Sequence, residues 1–549
     1  MPGEFEKVGV VGLGTMGAGI AEVFARCGHD VVGVDQTAEQ VESGRRHLQD
    51  STDRARRRGR MSDEQRRALL DRVSYTTSLD DVASCGLVIE AVVERLDVKQ
   101  EVFRSLDTVV AVDAVLATNT SSLSVTSIAA SSSHPSRVLG LHFFNPAPVQ
   151  RFVEVVSTVV SDPEVVRAVE RLVTDLGKSP VVVGDRAGFI ANALLFGYLN
   201  SAVAMLDSGH ASRDDIDAAM RLGCGFPMGP FQLLDLVGLD TAYSILDSMY
   251  REAHSSRHAP SALLGRLVTA GLVGRKSGQG FYRYREQAGA GDESDRETAQ
   301  AEQRSWTVGV VGSGALATAT SELLGGTAGD VVTIGTDGDL ESVARADVVV
   351  DATGGDLTAS SDLFSRLGAS CRPGAVLASA SGTLPVAPLA SASGRLADVV
   401  GMHHARMNRA PGVVEVVSTV TTAQRTREVV SALCDDAGVH PVHCHDRAGS
   451  IVEALVYPYL NDAVAMVGSG YATVPQVDAA MRDGCALPAG PFEMLDAVGA
   501  DVALAAERAL FQLRHDPALA PAALLEQLVG LGYTGPRNGR RGFRDLSEG

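Results

Sequence analysis

Residues 115–160 and 376–421 are two versions of one string. The first reads VLATNTSSLSVTSIAASSSHPSRVLGLHFFNPAPVQRFVEVVSTVV and the second VLASASGTLPVAPLASASGRLADVVGMHHARMNRAPGVVEVVSTVT. His142 matches His403 and Glu154 matches Glu415, a shift of 261 residues in both cases. The same shift relates DRAGFIANAL, from Asp185, to DRAGSIVEAL, from Asp446, and DAAMRLGCGFPMGPFQLLD to DAAMRDGCALPAGPFEMLD. A self-similarity of this length is a tandem duplication, and it restricts the chain to folds that can be built twice. Positions on which the copies agree report the demands of the fold. Polar residues kept by only one copy report chemistry.

The first copy opens with KVGVVGLGTMGAGIAEVFARCGHDVVGVD. An apolar run ends in Gly12-x-Gly14-x-x-Gly17, an Ala-rich helical pattern follows, and VVGVD closes the unit. This is strand, tight turn, helix, strand. The glycines, with Thr15 and Met16 between them, let a pyrophosphate approach the unpaired N–H groups of a helix N-terminus. Asp35 stands 18 residues after Gly17, where it accepts hydrogen bonds from a ribose 2′-hydroxyl. That arrangement favours NAD over NADP. Residues 37–75 read as two helices with an arginine cluster at positions 54, 56, 57, 58 and 60. Strand patterns follow at LVIEAVV, AVLAT, RVLGLHFF, FVEVV and SPVVVG, and the reading turns helical from about Asp185. Residues 286–304 carry no aliphatic side chain beyond Ala and read as a linker.

The expected architecture is an α/β Rossmann-type NAD domain followed by an all-helical domain, duplicated in tandem. The boundaries fall at 1–184 and 185–285, the linker at 286–304, a degenerate Rossmann-like domain at 305–445 and a second helical domain at 446–549. The degeneracy shows in alignment. Gly312 matches Gly12 at a shift of 300, which falls to 261 by Asp351, so 39 residues are missing across the arginine-bearing hairpin. Gly17 has become Ala317 and Asp35 has become Gly335. Ser121, Asn119, Asn145 and Asn192 are met by Gly382, Ala380, Arg406 and Glu453. A copy that keeps a His–Glu pair but loses the ribose acid and its polar neighbours is expected to be catalytically dead.

A formal charge of −19 argues against a general nucleic-acid binder. Seven cysteines without a CxxC pair, no signal-like leader and no apolar stretch of membrane-spanning length point to a cytoplasmic enzyme. Only four lysines occur, Lys7, Lys99, Lys178 and Lys276, all in the first copy. In a chain so biased toward arginine, they mark sites where a compact ammonium matters. His440, His443, Cys444 and His445 hint at a metal, but strand alternation sets Cys444 opposite its flanking histidines, so no metal site is expected.

The strings GLGTMGAGIA, IEAVVERLDVKQEVFRSLD, ATNTSSLSVT, LHFFNPAPV, GFIAN, FPMGPFQLLDLVGLD and GRKSGQGFY resemble the L-3-hydroxyacyl-CoA dehydrogenase family across nearly all of residues 5–285. The resemblance implies NAD-dependent, reversible oxidation of an L-3-hydroxyacyl-CoA to its 3-oxo form, with acyl-CoA bound between the NAD and helical domains. Oxidising a secondary alcohol needs a base, and the roles fall to His142 with Glu154 behind it. Ser121 is matched to a hydrogen bond with the reacting oxygen and Asn192 to the substrate's carbonyl side. Glu94, Lys99, Asn145 and Lys276 are matched to NAD. The arginine cluster, with Arg54 and Arg57 as its representatives, suits the phosphates of CoA. Two departures stand out: the usual Pro-Gly-Phe is Ala187-Gly188-Phe189, and Asn-Arg is Asn192-Ala193.

GLGTMG alone also suits 3-hydroxyisobutyrate-type dehydrogenases, which use a lysine instead of a His–Glu pair. A gulonate dehydrogenase-like enzyme of a free hydroxy acid and a non-catalytic NAD-binding scaffold are the other readings. Family members dimerise through their helical domains. The second copy is therefore expected to serve as an internal pseudo-dimer partner, with further homodimerisation open.

Overall fold

The computed structural model describes residues 5–284, 305–326, 329–405, 407, 412–447, 449–536 and 539–548. The expected linker and Arg406, the counterpart of Asn145, lie outside them. The chain forms two compact units. The first comprises Met1–Leu195, Ile245–Ser255 and Ser469–Gly490, and the second Phe196–Ser244, Ser256–Gly468 and Pro491–Gly549. Each unit therefore draws on both copies of the duplication.

The first unit is built on eight strands: β1 (Lys7–Val11), β2 (Asp30–Val34), β3 (Val73–Thr76), β4 (Leu87–Glu90), β5 (Val115–Thr118), β6 (Val138–Phe143), β7 (Phe152–Ser157) and β8 (Ser179–Gly184). Their order is β3-β2-β1-β4-β5-β6-β7-β8, and every pair is parallel except β6 with β7. The central strands read as apolar runs because helices cover both faces of the sheet, one core holding Val8, Ile20, Phe24 and Val155 and another Val11, Val88, Phe103 and Leu116.

Residues 37–75 form the helices Ala38–Arg57 and Asp63–Asp71, capped by Thr37 and by a Ser62/Gln65 capping box. Their last residues, expected to be helical, are the strand β3, whose Val73 is buried against the core. The expected strand LVIEAVV stops at Glu90, because the chain beyond it turns toward the glycine loop.

The second unit holds β9 (Thr307–Val311), β10 (Asp330–Ile334), β11 (Val348–Asp351), β12 (Val376–Ser379), β13 (Val399–Ala405), β14 (Val413–Ser418) and β15 (His440–His445). Their order is β10-β9-β11-β12-β13-β14-β15. Among the described residues this sheet has no counterpart of β3. The missing 39 residues thus remove both hairpin helices and a whole edge strand, leaving β10 at the edge. On β15 Cys444 is buried while His443 and His445 are exposed, as alternation requires. No described helix is long and apolar enough to cross a membrane.

Candidate active site

His142 sits near the end of β6 and lies directly across the antiparallel ladder from Glu154 on β7. This register faces the two side chains toward each other, and Nδ1 of His142 is 2.7 Å from Oε2 of Glu154. Both are buried. The other carboxylate oxygen of Glu154 accepts the backbone N–H groups of Ile190 and Ala191 at 3.0 and 3.2 Å. These are donors at the start of the helix Ala191–Asp207. One carboxylate thus orients the imidazole and caps the next helix. Asn192, on the first turn of that helix, donates through Nδ2 to the Ser121 carbonyl at 3.1 Å. Ser121, His142, Glu154 and Asn192, far apart in sequence, are gathered in one place.

Glu94 organises the loop before Ser121. It accepts the Thr120 hydroxyl at 2.5 Å and the Ser121 N–H at 2.9 Å. Burial alone would raise its carboxyl. The Lys99 charge and these donors outweigh burial and hold it below the ordinary carboxylate range. Lys99 itself has no exposed surface, and its ammonium reaches Glu90 at 2.7 Å and Glu94 at 3.3 Å. Lys99, matched to NAD by the family resemblance, is thus engaged in a buried ion pair with Glu90. Glu90, which sequence reasoning passed over, also accepts the Thr118 hydroxyl and the Val92 N–H. An acid at the end of an otherwise apolar strand was the available signal.

The glycine loop has the shape a dinucleotide requires. A Cβ at Gly12, whose φ is +93°, would lie 2.6 Å from the Ala91 carbonyl oxygen, and one at Gly17 only 1.7 Å from that of Gly12. At Gly14 an added Cβ would meet nothing within 4 Å, leaving open space before the helix Thr15–Arg26. Thr15 is exposed there and Met16 packs on the core. Asp35 closes the loop by accepting the Leu13 and Gln36 N–H groups, both at 2.8 Å. Loop, open approach and acid fit NAD.

Models of the 3-hydroxyacyl-CoA dehydrogenase NAD binding domain match residues 7–186 and 270–447, and those of its C-terminal domain match 188–284 and 449–545. The chain belongs to the 3-hydroxyacyl-CoA dehydrogenase family. It is an NAD-dependent dehydrogenase. It is 46% identical over 286 residues to 3-hydroxybutyryl-CoA dehydrogenase of Mycobacterium tuberculosis, covering 52% of this chain and 100% of that protein. It is 42% identical over 287 residues to human mitochondrial hydroxyacyl-coenzyme A dehydrogenase, covering 51% of this chain and 91% of that one. A crystal structure of 3-hydroxybutyryl-CoA dehydrogenase from Escherichia coli aligns over 96% of this chain and 99% of its own, with 30% identity and a TM-score of 0.73.

The first of the dehydrogenase's two departures from the usual family string has a local explanation, whereas nothing in the structure explains Ala193. Ala187 stands where a proline has no N–H, and its N–H donates to Glu252 at 3.0 Å. Asn145 lies on an exposed loop whose carbonyls, at Ala147 and Gln150, are held by the Lys178 ammonium at 2.7 and 2.6 Å. Burial lowers Lys178 to about 8. Lys276 belongs to the second unit, where it pairs with Asp240 at 2.6 Å. Arg54 and Arg57 are exposed on the helix Ala38–Arg57, on faces away from its buried Val41, Leu48 and Thr52. Arg56 is tied to Asp63.

In the second unit the matched site is built differently. His403 keeps Glu415 at 2.5 Å, and Glu415 likewise accepts the Ile451 and Val452 N–H groups. The fold alone therefore accounts for retention of that pair. Glu453, in place of asparagine, approaches the other imidazole nitrogen at 3.4 Å. A Cβ at Gly382 would lie 2.5 Å from that nitrogen and 2.8 Å from Glu453 Oε1, so glycine there and glutamate at 453 are two halves of one change. Burial by itself would lower His403, but Glu453 and Glu415 outweigh it and push it up to about 10. Ala317 fits where Gly17 cannot be replaced because the loop has moved: φ at Gly312 is +150°, and Gly314 has flipped to +103°.

Proposed function

We propose that the first copy catalyses reversible, NAD-dependent oxidation of an L-3-hydroxyacyl-CoA to the 3-oxoacyl-CoA, and that the second copy does no chemistry. The observation that carries this reading is the His142–Glu154 pair at 2.7 Å beside Ser121 and Asn192, set against Gly382 and Glu453 at the matched positions. With Nδ1 of His142 engaged by Glu154, Nε2 is the atom left to take the hydroxyl proton and to return it in reduction. Glu154 stabilises the imidazolium so formed. The Ser121 position lies against Nε2 by analogy with Gly382, so its hydroxyl holds the reacting oxygen. Asn192 orients the substrate's carbonyl side, and Glu94, positioned by Lys99, holds the loop bearing Ser121. When bound, NAD supplies the hydride acceptor. Gly12, Gly14, Thr15, Met16, Gly17, Asp35 and Asn145 would line its site. Arg54 and Arg57 would meet CoA phosphates.

His403, held charged up to about 10, has no capacity to accept a proton at neutral pH. The domain boundaries expected from sequence describe this division of labour, with 1–184 for NAD and the CoA hairpin, 185–285 for substrate, and 305–445 and 446–549 as an internal pseudo-dimer partner. Seven free thiols support a reducing compartment, the cytoplasm.

NADH oxidation followed by absorbance is expected with acetoacetyl-CoA as substrate. Turnover of a free hydroxy acid such as gulonate with none on acyl-CoA would overturn the substrate assignment. Titration calorimetry is expected to give one strong NAD site per chain, with NAD(H) preferred over NADP(H) because Asp35 repels a 2′-phosphate. Two equal sites would refute the single-site reading.

A further inference from the structure

The copies differ in three aromatic residues around the histidine. Phe144, Phe152 and Phe189 of the first copy correspond to Ala405, Val413 and Ser450 of the second. The backbone is not what asks for them: Phe189 and Ser450 share a left-handed φ, +48° and +46°. In the first unit the rings form a column. The Phe144 ring lies 4.5 Å from the His142 ring, and Phe152 lies 5.4 Å from Phe144. Phe189 stands 5.7 Å from His142. Glu154 fixes only one edge of the imidazole. Rotation about that hydrogen bond is left to the rings packed beside it.

The column ends on chain supplied by the second copy. The π-helical turn Ala480–Gly484 packs on β7, and a Cβ at Gly484 would lie 2.8 Å from Cδ1 of Phe152 and within 3.5 Å of two more ring atoms. Phe152 has no exposed surface and is bound into the β7 ladder, so its ring cannot swing aside cheaply. The same segment is anchored by Tyr471, whose hydroxyl donates to the Gly184 carbonyl at 2.8 Å and whose ring carries the Arg186 guanidinium at 4.3 Å. In the second unit the matching turn, Ala219–Gly223, sets Gly223 against Val413, Val452 and the Ala405 carbonyl, where no ring stands. The glycine turn is shared by both copies. The ring column exists only beside the intact site.

We propose that Gly484, in the copy without chemistry, is a positioning residue for His142 in the copy that has it, acting through Phe152 and Phe144. The inference rests on His142 being the base. Small displacements of a catalytic group carry large rate penalties, while the groups that bind cofactor and substrate are left in place. Gly484→Ala in the full chain is expected to lower kcat about tenfold, with KM and the NADH Kd within about twofold of the parent. Gly223→Ala, the matched change facing the second site, is expected to leave kcat within about twofold. A double-mutant cycle distinguishes positioning from general damage. Phe152→Val, which installs the second copy's residue, is expected to lower kcat by itself and to abolish any further loss from Gly484→Ala. The proposal is overturned if Gly484→Ala keeps parental kcat, if Gly223→Ala falls equally, or if the Gly484 and Phe152 effects simply add. Should Gly484→Ala not fold, Phe152→Val and Phe144→Ala decide the matter, since full kcat in both breaks the path. Inactive His142→Ala with unaffected Gly484 and Phe152 variants sinks this inference alone, whereas active His142→Ala sinks the reading beneath it.

Discussion

His142→Ala is expected to lower kcat by about a hundredfold or more, the loss that follows removal of a positioned general base. The variant should still bind NADH with parental affinity, because Gly12, Gly17 and Asp35 are untouched. Glu154→Gln should reduce kcat far more than it changes KM, since an amide neither stabilises the imidazolium nor fixes its tautomer as a carboxylate does. A complication is visible in the structure: Glu154 also accepts the Ile190 and Ala191 N–H groups. Glutamine retains one carbonyl oxygen for that task, so Glu154→Ala would confuse loss of fold with loss of chemistry. Steady-state kinetics on acetoacetyl-CoA checks these expectations. Near-normal turnover in His142→Ala would end the proposed mechanism.

Much of this was legible in the sequence because it depends on local pattern. The strand–glycine–helix opening, the strands at 115–118 and 179–184 and the pairing of His142 with Glu154 follow from short apolar runs, turn glycines and the repeat itself. Internal duplication supplied what a single sequence lacks, a second trial of the same fold under different chemical demands. It isolated Ser121 and Asn192, which share one hydrogen bond.

Legibility failed where long-range packing decides. Lys99 lies five residues after Glu94 in a charged stretch, and nothing local announces that it is wholly buried, where Glu90 and Glu94 converge on it from the end of β4 and the loop beyond. β3 read as the end of a helix, since VSYT is too short for its alternation to outweigh the helical pattern before it. The helix Pro163–Asp175, lying between the strand patterns FVEVV and SPVVVG, is marked only at its start, by Asp162 as cap and proline in its first turn. Most consequential, nothing local in residues 469–490 says that they belong with β7 and β8 instead of with their own copy.

That last feature sets the result expected of a chain cut near Arg285. Such a fragment retains His142, Glu154, Ser121, Asn192 and the whole glycine loop, so on the catalytic residues alone it should be active. It loses the segment Ser469–Gly490, which supplies the turn against Phe152, the Tyr471 bond to the Gly184 carbonyl and the ring beneath Arg186. Phe152, now without exposed surface, would be partly bared along β7, and the edge strand β8 would lose its hydroxyl partner. Exposed apolar surface of this kind seeks a partner, and the remaining source is a second copy of the fragment. The fragment is therefore expected to self-associate or aggregate, to melt below the full chain, and to show a specific activity that rises with protein concentration as mass action restores the missing contact. In the full chain the linked second copy is present at an effective concentration set by the connecting residues, so its activity should not depend on dilution. Light scattering, thermal melts and a dilution series of the NADH assay check all three. A stable, fully active monomer would mean that the second copy contributes neither interface nor positioning to the first.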